Sequence, residues 1–222
     1  KMLSQDGYYF IEPGSGYLAC GYVAKGRMEE PMQILSVINK FFTQQENVVK
    51  SSFSGKHALV TAGPTVEVID PVRYVSNRSS GKMGYAIAEA LRDKGAIVTL
   101  ISGPTHLSLP EGINVVKVES ADDMFQAVTE RFAKQDIVIK AAAVSDYTPM
   151  DILEHKLKKQ EGGLSVQFKR TKDILKYLGE NKTHQYLVGF AAETQNIEQY
   201  ALDKLKRKNA DVIISNNVGD TS

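Results

Sequence analysis

The chain of 222 residues, 42% hydrophobic and 24% charged, has the size and make-up of one ordinary globular domain, or of one domain plus a fragment. That composition excludes a disordered, collagen-like or membrane-spanning protein, and no run approaches the roughly 18 apolar residues of a transmembrane helix. Twenty-seven Lys and Arg against 26 Asp and Glu leave a formal charge of +1, so global electrostatics give no reason to expect nucleic acid or a membrane as partner.

The opening stretch KMLSQDGYYF lacks the apolar core and small-residue cleavage site of a secretory signal. The one cysteine, Cys20, allows no intrachain disulfide, and the two features together imply a cytoplasmic protein. The first 30 residues are rich in Gly and Tyr, show no clear period and read as irregular. Pro31 suits the first turn of a helix, and Ile34, Leu35, Val37, Ile38, Phe41 and Phe42 follow at helical spacing. Residues 43–56 are polar and Ser-rich and read as a linker.

From His57 onward strand, turn and helix alternate. Near-continuous apolar runs at 58–61, 97–101, 113–118, 137–143, 186–191 and 212–215 suit strands buried on both faces of a parallel sheet. Helices are expected around 81–94, 121–134, 171–181 and 196–208, the first closed by Lys94-Gly95. The pattern predicts an α/β fold with a Rossmann-like, doubly wound, mostly parallel sheet. Residues 154–170 break the alternation. They read as a β-hairpin flap, with Lys156 and Lys158 on one face of a strand. Between 155 and 176 there are seven Lys or Arg and two acids, a local charge of +5 suited to one small anionic ligand. A solvated lysine face is the commoner meaning of such a run.

In doubly wound sheets, ligands sit where loops leave the carboxyl ends of strands. The first such loop, Thr61-Ala62-Gly63-Pro64-Thr65, is not a G-x-G-x-x-G fingerprint and on its own means only a tight turn. Ser76-Asn77-Arg78-Ser79-Ser80-Gly81-Lys82-Met83-Gly84 opens the first long helix, where small residues expose N–H groups that bind anions. It is not a Walker A loop. Ala141-Ala142-Ala143-Val144-Ser145-Asp146 ends another strand, where small side chains let a flat ligand approach and Asp146 could take a ribose hydroxyl or a metal, or act as a helix or turn cap. Phe190 could stack on a base or belong to the core. The four histidines have no metal-ligand spacing, and neither a Ser-His-Asp order nor a nucleophile elbow occurs.

Taken together, TAGPT-x-E-x-IDPVRYVSN-x-SSGKMG (61–84), AAAVSDY (141–147), HKLKK (155–159) and GFAAET (189–194) resemble the phosphopantothenate–cysteine ligase family. SGYLACGYVAKGRMEEP (15–31) is similar to the end of phosphopantothenoylcysteine decarboxylase, often fused ahead of that ligase in bacteria. The resemblance implies three segments: 1–32 as a decarboxylase tail, 33–56 as helix and linker, and 57–222 as a ligase domain short of its usual C-terminal loop, strand and helix.

It also implies a reaction. The carboxylate of 4′-phosphopantothenate attacks the α-phosphate of CTP, pyrophosphate leaves, and the amine of L-cysteine then discharges the acyl-cytidylate to an amide and CMP. By the same resemblance Lys156 would neutralise α-phosphate charge and Asn77 would hold the acyl carbonyl. Gly63, Ser79, Ser80, Gly81, Lys82, Ala142, Ala143, Asp146, Lys159 and Phe190 would surround the nucleotide, and Arg73 with Ala143 would meet the phosphopantothenate. Mg²⁺ is expected with the triphosphate and no protein metal site is implied. Cys20, matching a decarboxylase general acid, is expected to do no chemistry here, and no FMN is expected. A homodimer through the ligase domain is implied, and a larger assembly where the decarboxylase part is present. A Rossmann-type NAD(P) oxidoreductase and a non-catalytic nucleotide sensor are the competing readings, and nothing in the residues themselves chooses CTP over ATP.

Overall fold

The computed structural model describes residues 11, 13–17, 23–48, 52–158, 164–193 and 197–217. They form two units, residues 1–52 and 53–222. In the first, β1 (Gly14–Tyr17) pairs antiparallel with β2 (Val23–Arg27), so part of the stretch expected to be irregular is a two-stranded ribbon. Glycine-rich strands held by backbone pairing carry little side-chain period, which is why the sequence hid them. Helix α1 (Pro31–Val48) starts at Pro31 as expected but runs on into the first six residues, 43–48, of the stretch assigned to the linker.

The second unit is built on β3 (His57–Ala62), β6 (Ile97–Ser102), β7 (Asn114–Lys117), β8 (Ile137–Lys140), β11 (Tyr186–Glu193) and β12 (Val212–Asn217). Their spatial order is β7-β6-β3-β8-β11-β12 and every pairing is parallel. Numbered along the sheet's own chain order this is 3-2-1-4-5-6, the doubly wound arrangement, with its reversal between β3 and β8.

Each face of the sheet carries its own core. Helix α2 (Lys82–Asp93) buries Gly84, Tyr85, Ala88 and Leu91, a stripe at helical spacing, against Ala58, Val60, Val98 and Leu100. Helices α3 (Ala121–Phe132) and α4 (Ile174–Asn181) cover the other face, where Met124, Val128, Leu175 and Leu178 meet Leu59, Ile101, Val138 and Leu187. Helix α5 (Ile197–Arg207) precedes the edge strand β12. The end of α2 is closed at Gly95 as expected: its φ is 85°, and the N–H groups of Gly95 and Ala96 reach the carbonyls of Arg92 and Leu91.

Two small hairpins stand on the carboxyl edge. One is β4 (Val66–Val68) with β5 (Tyr74–Ser76), which the sequence reading missed. The other is β9 (Tyr147–Pro149) with β10 (Phe168–Arg170), the stem of the flap. The flap is therefore longer than expected, and its paired strands include Lys169 and Arg170 of the basic run but not Lys156 or Lys158. Residues 151–158 form no strand, so Lys156 and Lys158 are not fixed on one face by strand alternation. Leu153 and Leu157 turn their N–H groups to the β4–β5 turn, away from the facing arm of the flap.

Candidate functional site

Where the sheet order reverses, the segments after β3 and β8 run side by side instead of parting. The N–H of Ala143 donates to Gly63 O at 2.9 Å, and the N–H of Thr65 returns to Ala143 O at 3.3 Å. The N–H of Ala142 is taken by Thr61 Oγ1 at 3.2 Å, and that of Ser145 by Thr65 Oγ1 at 3.0 Å. Two buried threonines thus hold the alanine loop by its backbone. The amides of Ala142 and Ala143 are satisfied within the chain, so these residues give a close, smooth wall and no spare N–H donors. Strand β8 stops at Lys140, three residues before the expected end, which leaves the alanines in this loop.

Asn77 joins the same point from β5, donating from Nδ2 to Ala143 O at 3.2 Å while its side chain stays exposed. Ser76 anchors that strand end through Oγ to Thr65 O at 2.7 Å. Beyond Asn77 the chain turns through Ser79 and Ser80 into α2.

Gly81 is the N-cap of α2, in the left-handed region at φ 78°, and no side chain caps the helix. A Cβ on Gly81 would lie 2.8 Å from Thr105 Cγ2 and 3.2 Å from Gly63 N, and one on Gly63 (φ 74°) would lie 2.9 Å from the same methyl. Both glycines are needed for conformation and for close approach. The Ser79 and Ser80 hydroxyls reach the N–H groups of Gly81 and Lys82 only at 3.4 and 3.5 Å, too long to hold them firmly. Lys82 is exposed, and the first turn contains no acid. An anion placed here would find open N–H groups, the positive end of the helix dipole and an ammonium.

The remaining expected residues lie on other segments of the carboxyl edge. Phe190, half-buried on β11, stands one residue past the Gly189–Lys140 pair and so level with the start of the alanine loop. Asp146 is exposed, and its carbonyl accepts from Thr171 N at 3.0 Å, tying the alanine loop to the segment before α4. Lys156 is exposed on the flap, whereas Lys159 and Cys20 lie outside the described residues.

Arg73, expected at a substrate phosphate, is engaged inside the chain. Its Nε donates to Asp70 Oδ2 at 2.9 Å and its Nη2 to Leu157 O at 2.7 Å. Asp70 was not singled out from the sequence, yet it is 1% exposed and holds this corner together. Burial works to raise its pKa, but the N–H groups of Val72, Leu157 and Arg73 and the Arg73 guanidinium outweigh burial, holding the carboxyl well below the usual carboxylate range. The signal was available: Asp-Pro-Val-Arg is a turn in which the Asp side chain accepts from the N–H groups two and three residues on.

A second missed group is Lys140, 8% exposed at the end of β8, whose Nζ has the Met124 sulfur at 3.9 Å. Burial pushes its amine down to about 7, against a weak opposing pull from Asp173. A lysine inside a strand's apolar run gives no such warning in sequence.

Order and site together define the class, a doubly wound α/β domain with its candidate site at the topological switch point. Residues 53–222 match the DNA/pantothenate metabolism flavoprotein C-terminal domain, and the chain belongs to that family. It is 55% identical over 219 residues to the coenzyme A biosynthesis bifunctional protein CoaBC of Bacillus subtilis, covering 98% of this chain and 53% of that protein. To the CoaBC of Haemophilus influenzae it is 48% identical over 217 residues, covering 97% and 53%. It therefore spans about half the length of the curated relatives it matches. The crystal structure of the C-terminal domain of a CoaBC superposes with a TM-score of 0.68 at 50% identity, covering 76% of this chain and 80% of that one. No helix among the described residues is long and apolar enough to cross a membrane.

Proposed function

We propose that residues 53–222 act as a phosphopantothenate–cysteine ligase in coenzyme A biosynthesis, using CTP through an acyl-cytidylate. The observation that carries this reading is the junction of Asn77, Ala143 and Gly63 beside the uncapped start of α2, with Lys156 on the adjoining flap. The kinship with the CoaBC C-terminal domain supports it.

In this reading the triphosphate lies on the N–H groups opened by Gly81 and on Lys82, and Lys156 faces the α-phosphate. A carboxylate oxygen of 4′-phosphopantothenate forms a bond to that phosphorus as the bond to the bridging oxygen breaks, and pyrophosphate leaves with the electron pair. Charge gathers on the equatorial oxygens, so positioning and positive charge do most of the work. The Asn77 amide, oriented by Ala143 O, turns its donor from that carbonyl to the acyl oxygen when cysteine's amine attacks and CMP departs. The described residues hold no group of three His, Cys, Asp or Glu suited to a metal. Mg²⁺ in this reading enters on the triphosphate's own oxygens, where it neutralises charge.

The fold order is that of dinucleotide-binding domains, but the chain between β3 and α2 argues against an NAD(P) oxidoreductase. Eighteen residues and a whole hairpin separate Ala62 from Gly81, where the dinucleotide fingerprint needs a tight glycine turn straight into the helix. The test is product analysis with 4′-phosphopantothenate and L-cysteine, comparing CTP, ATP and NAD. The expected result is 4′-phosphopantothenoylcysteine with CTP, and ligation with ATP alone would overturn the choice of nucleotide.

A further inference from the structure

The flap that carries Lys156 is fastened at one place to the turn of the β4–β5 hairpin. Leu153 N donates to Ile69 O at 3.0 Å. Four residues on, both backbone groups of Leu157 are held: its N–H by Asp70 Oδ2 at 3.2 Å, and its carbonyl by Arg73 Nη2 at 2.7 Å. Asp70 and Arg73 are in turn locked to each other, Nη2 lying 2.7 Å from Oδ2. Asp70 Oδ1 takes the N–H groups of Val72 and Arg73 at 2.8 and 2.9 Å, so the carboxylate cannot swing away without breaking its own turn.

Leu157, the residue after Lys156, is thereby held at both its N–H and its carbonyl, on two successive peptide groups, while the lysine side chain is exposed. The same hairpin runs from Arg73 through β5 to Asn77, only four residues later. The turn that grips the flap and the amide that meets the alanine loop thus lie on one hairpin.

We infer that Asp70, with Arg73, is a positioning pair that holds the Lys156 flap in register with Asn77 by gripping the backbone of Leu157. The inference rests on the ligase reading for its kinetic consequence, and on the hydrogen bonds alone for the grip itself. Asp70 is buried, with both carboxylate oxygens taken up by the chain's own donors. Its carboxylate supplies acceptors that no neutral side chain of the same shape can supply, because an amide in its place turns a donor toward Leu157 N–H and the guanidinium.

The test uses Asp70→Asn, Lys156→Gln and the double variant, with amide hydrogen exchange and single-turnover formation of acyl-cytidylate read in parallel. In Asp70→Asn the Leu157 amide should exchange at least tenfold faster while those of β3 are unchanged. Acyl-cytidylate formation should slow 10- to 100-fold with CTP affinity within about threefold of wild type. The double variant should be no slower than Lys156→Gln alone, since a residue acting only through Lys156 has nothing left to act on. Multiplying losses in the double variant, or an unchanged Leu157 amide, would overturn the inference.

If Asp70→Asn does not fold, Arg73→Gln removes the carbonyl's donor and leaves the carboxylate, and the same exchange at Leu157 and the same kinetics decide. Should the unaltered protein form no acyl-nucleotide at all, the ligase reading fails and the kinetic half of the inference with it. The exchange data would then still accept or reject the grip.

Discussion

Two helices begin on the same edge of the same sheet and are finished in opposite ways. Helix α3 consumes its own positive end: Ser120 Oγ accepts from Asp123 N at 3.1 Å, and Asp123 Oδ2 accepts from Ser120 N at 2.9 Å. Glu67, 3% exposed on β4, takes the N–H of Ala121 at 2.9 Å. Those bonds from the Ser120 N–H and hydroxyl hold the Asp123 carboxyl below its ordinary pKa. Helix α2 has a left-handed glycine for its N-cap, no capping side chain and no acid in its first turn. The physics of the two ends is identical and the chemistry differs. Three oxygens from the chain close the start of α3, whereas the start of α2 has no capping side chain or acid and is the end that the proposed function assigns to the triphosphate.

Four changes would break or sharpen this contrast. The largest effect is expected on the flap. Lys156→Gln should lower acyl-cytidylate formation by roughly 10²–10³-fold, comparable to removing one preorganised charge-stabilising donor. Its thermal midpoint should stay unchanged because the side chain is exposed, as stopped-flow and calorimetry on one preparation would show.

Next comes the core beneath the sealed end, where α3 packs Met124 on Lys140. The folded amine titrates near 7 and the unfolded one near 10.5, so the unfolded chain binds the extra proton between those values and stability rises with pH across that window. Below pH 7 the full cost is present, so Lys140→Met should stabilise the protein there by several kcal/mol and flatten the rise. Urea titrations at pH 7 and 9.5 read both effects.

Gly81→Ala forces a side chain into the left-handed region and against Thr105. It should cost about 1–2 kcal/mol and weaken CTP binding, measured by calorimetric titration. Ser120→Ala, the smallest, should cost about 1 kcal/mol with CTP affinity untouched. If Ser120→Ala weakened CTP as much as Gly81→Ala, the two ends would not differ in the way described.

Much of this was legible from residues alone, and the reasons are local. The six core strands and α2 to α5 came from apolar runs and 3.6-residue stripes, because a parallel sheet buried on both faces writes its strands as unbroken hydrophobicity. Gly63, Asn77, Gly81 and Ala143 were all singled out, and the structure brings them to one point. The β1–β2 ribbon and the β4–β5 hairpin were hidden because glycine-bearing strands and strands of three residues are too short or too plain to show a period.

The flap's course was misread for a related reason. A lysine-rich stretch looks like a strand whether its N–H groups meet a facing strand or, as here, a distant turn. Asp70 had a local turn signal, but its bond to Leu157 spans 87 residues and no window of sequence contains it. Lys140 was invisible because burial of a charge is decided by what folds over it.

The central claim is that the open end of α2, Asn77 and the flap lysine together activate a carboxylate on a nucleotide. The measurement that tests it most directly is to incubate the protein with 4′-phosphopantothenate, CTP and Mg²⁺, omit cysteine, and examine the bound fraction by mass spectrometry. The account predicts an acyl-cytidylate that persists until cysteine is added and then disappears as CMP is released. Folded, CTP-binding protein that forms amide only when cysteine is present from the start, with no acyl-cytidylate at any time, would contradict it.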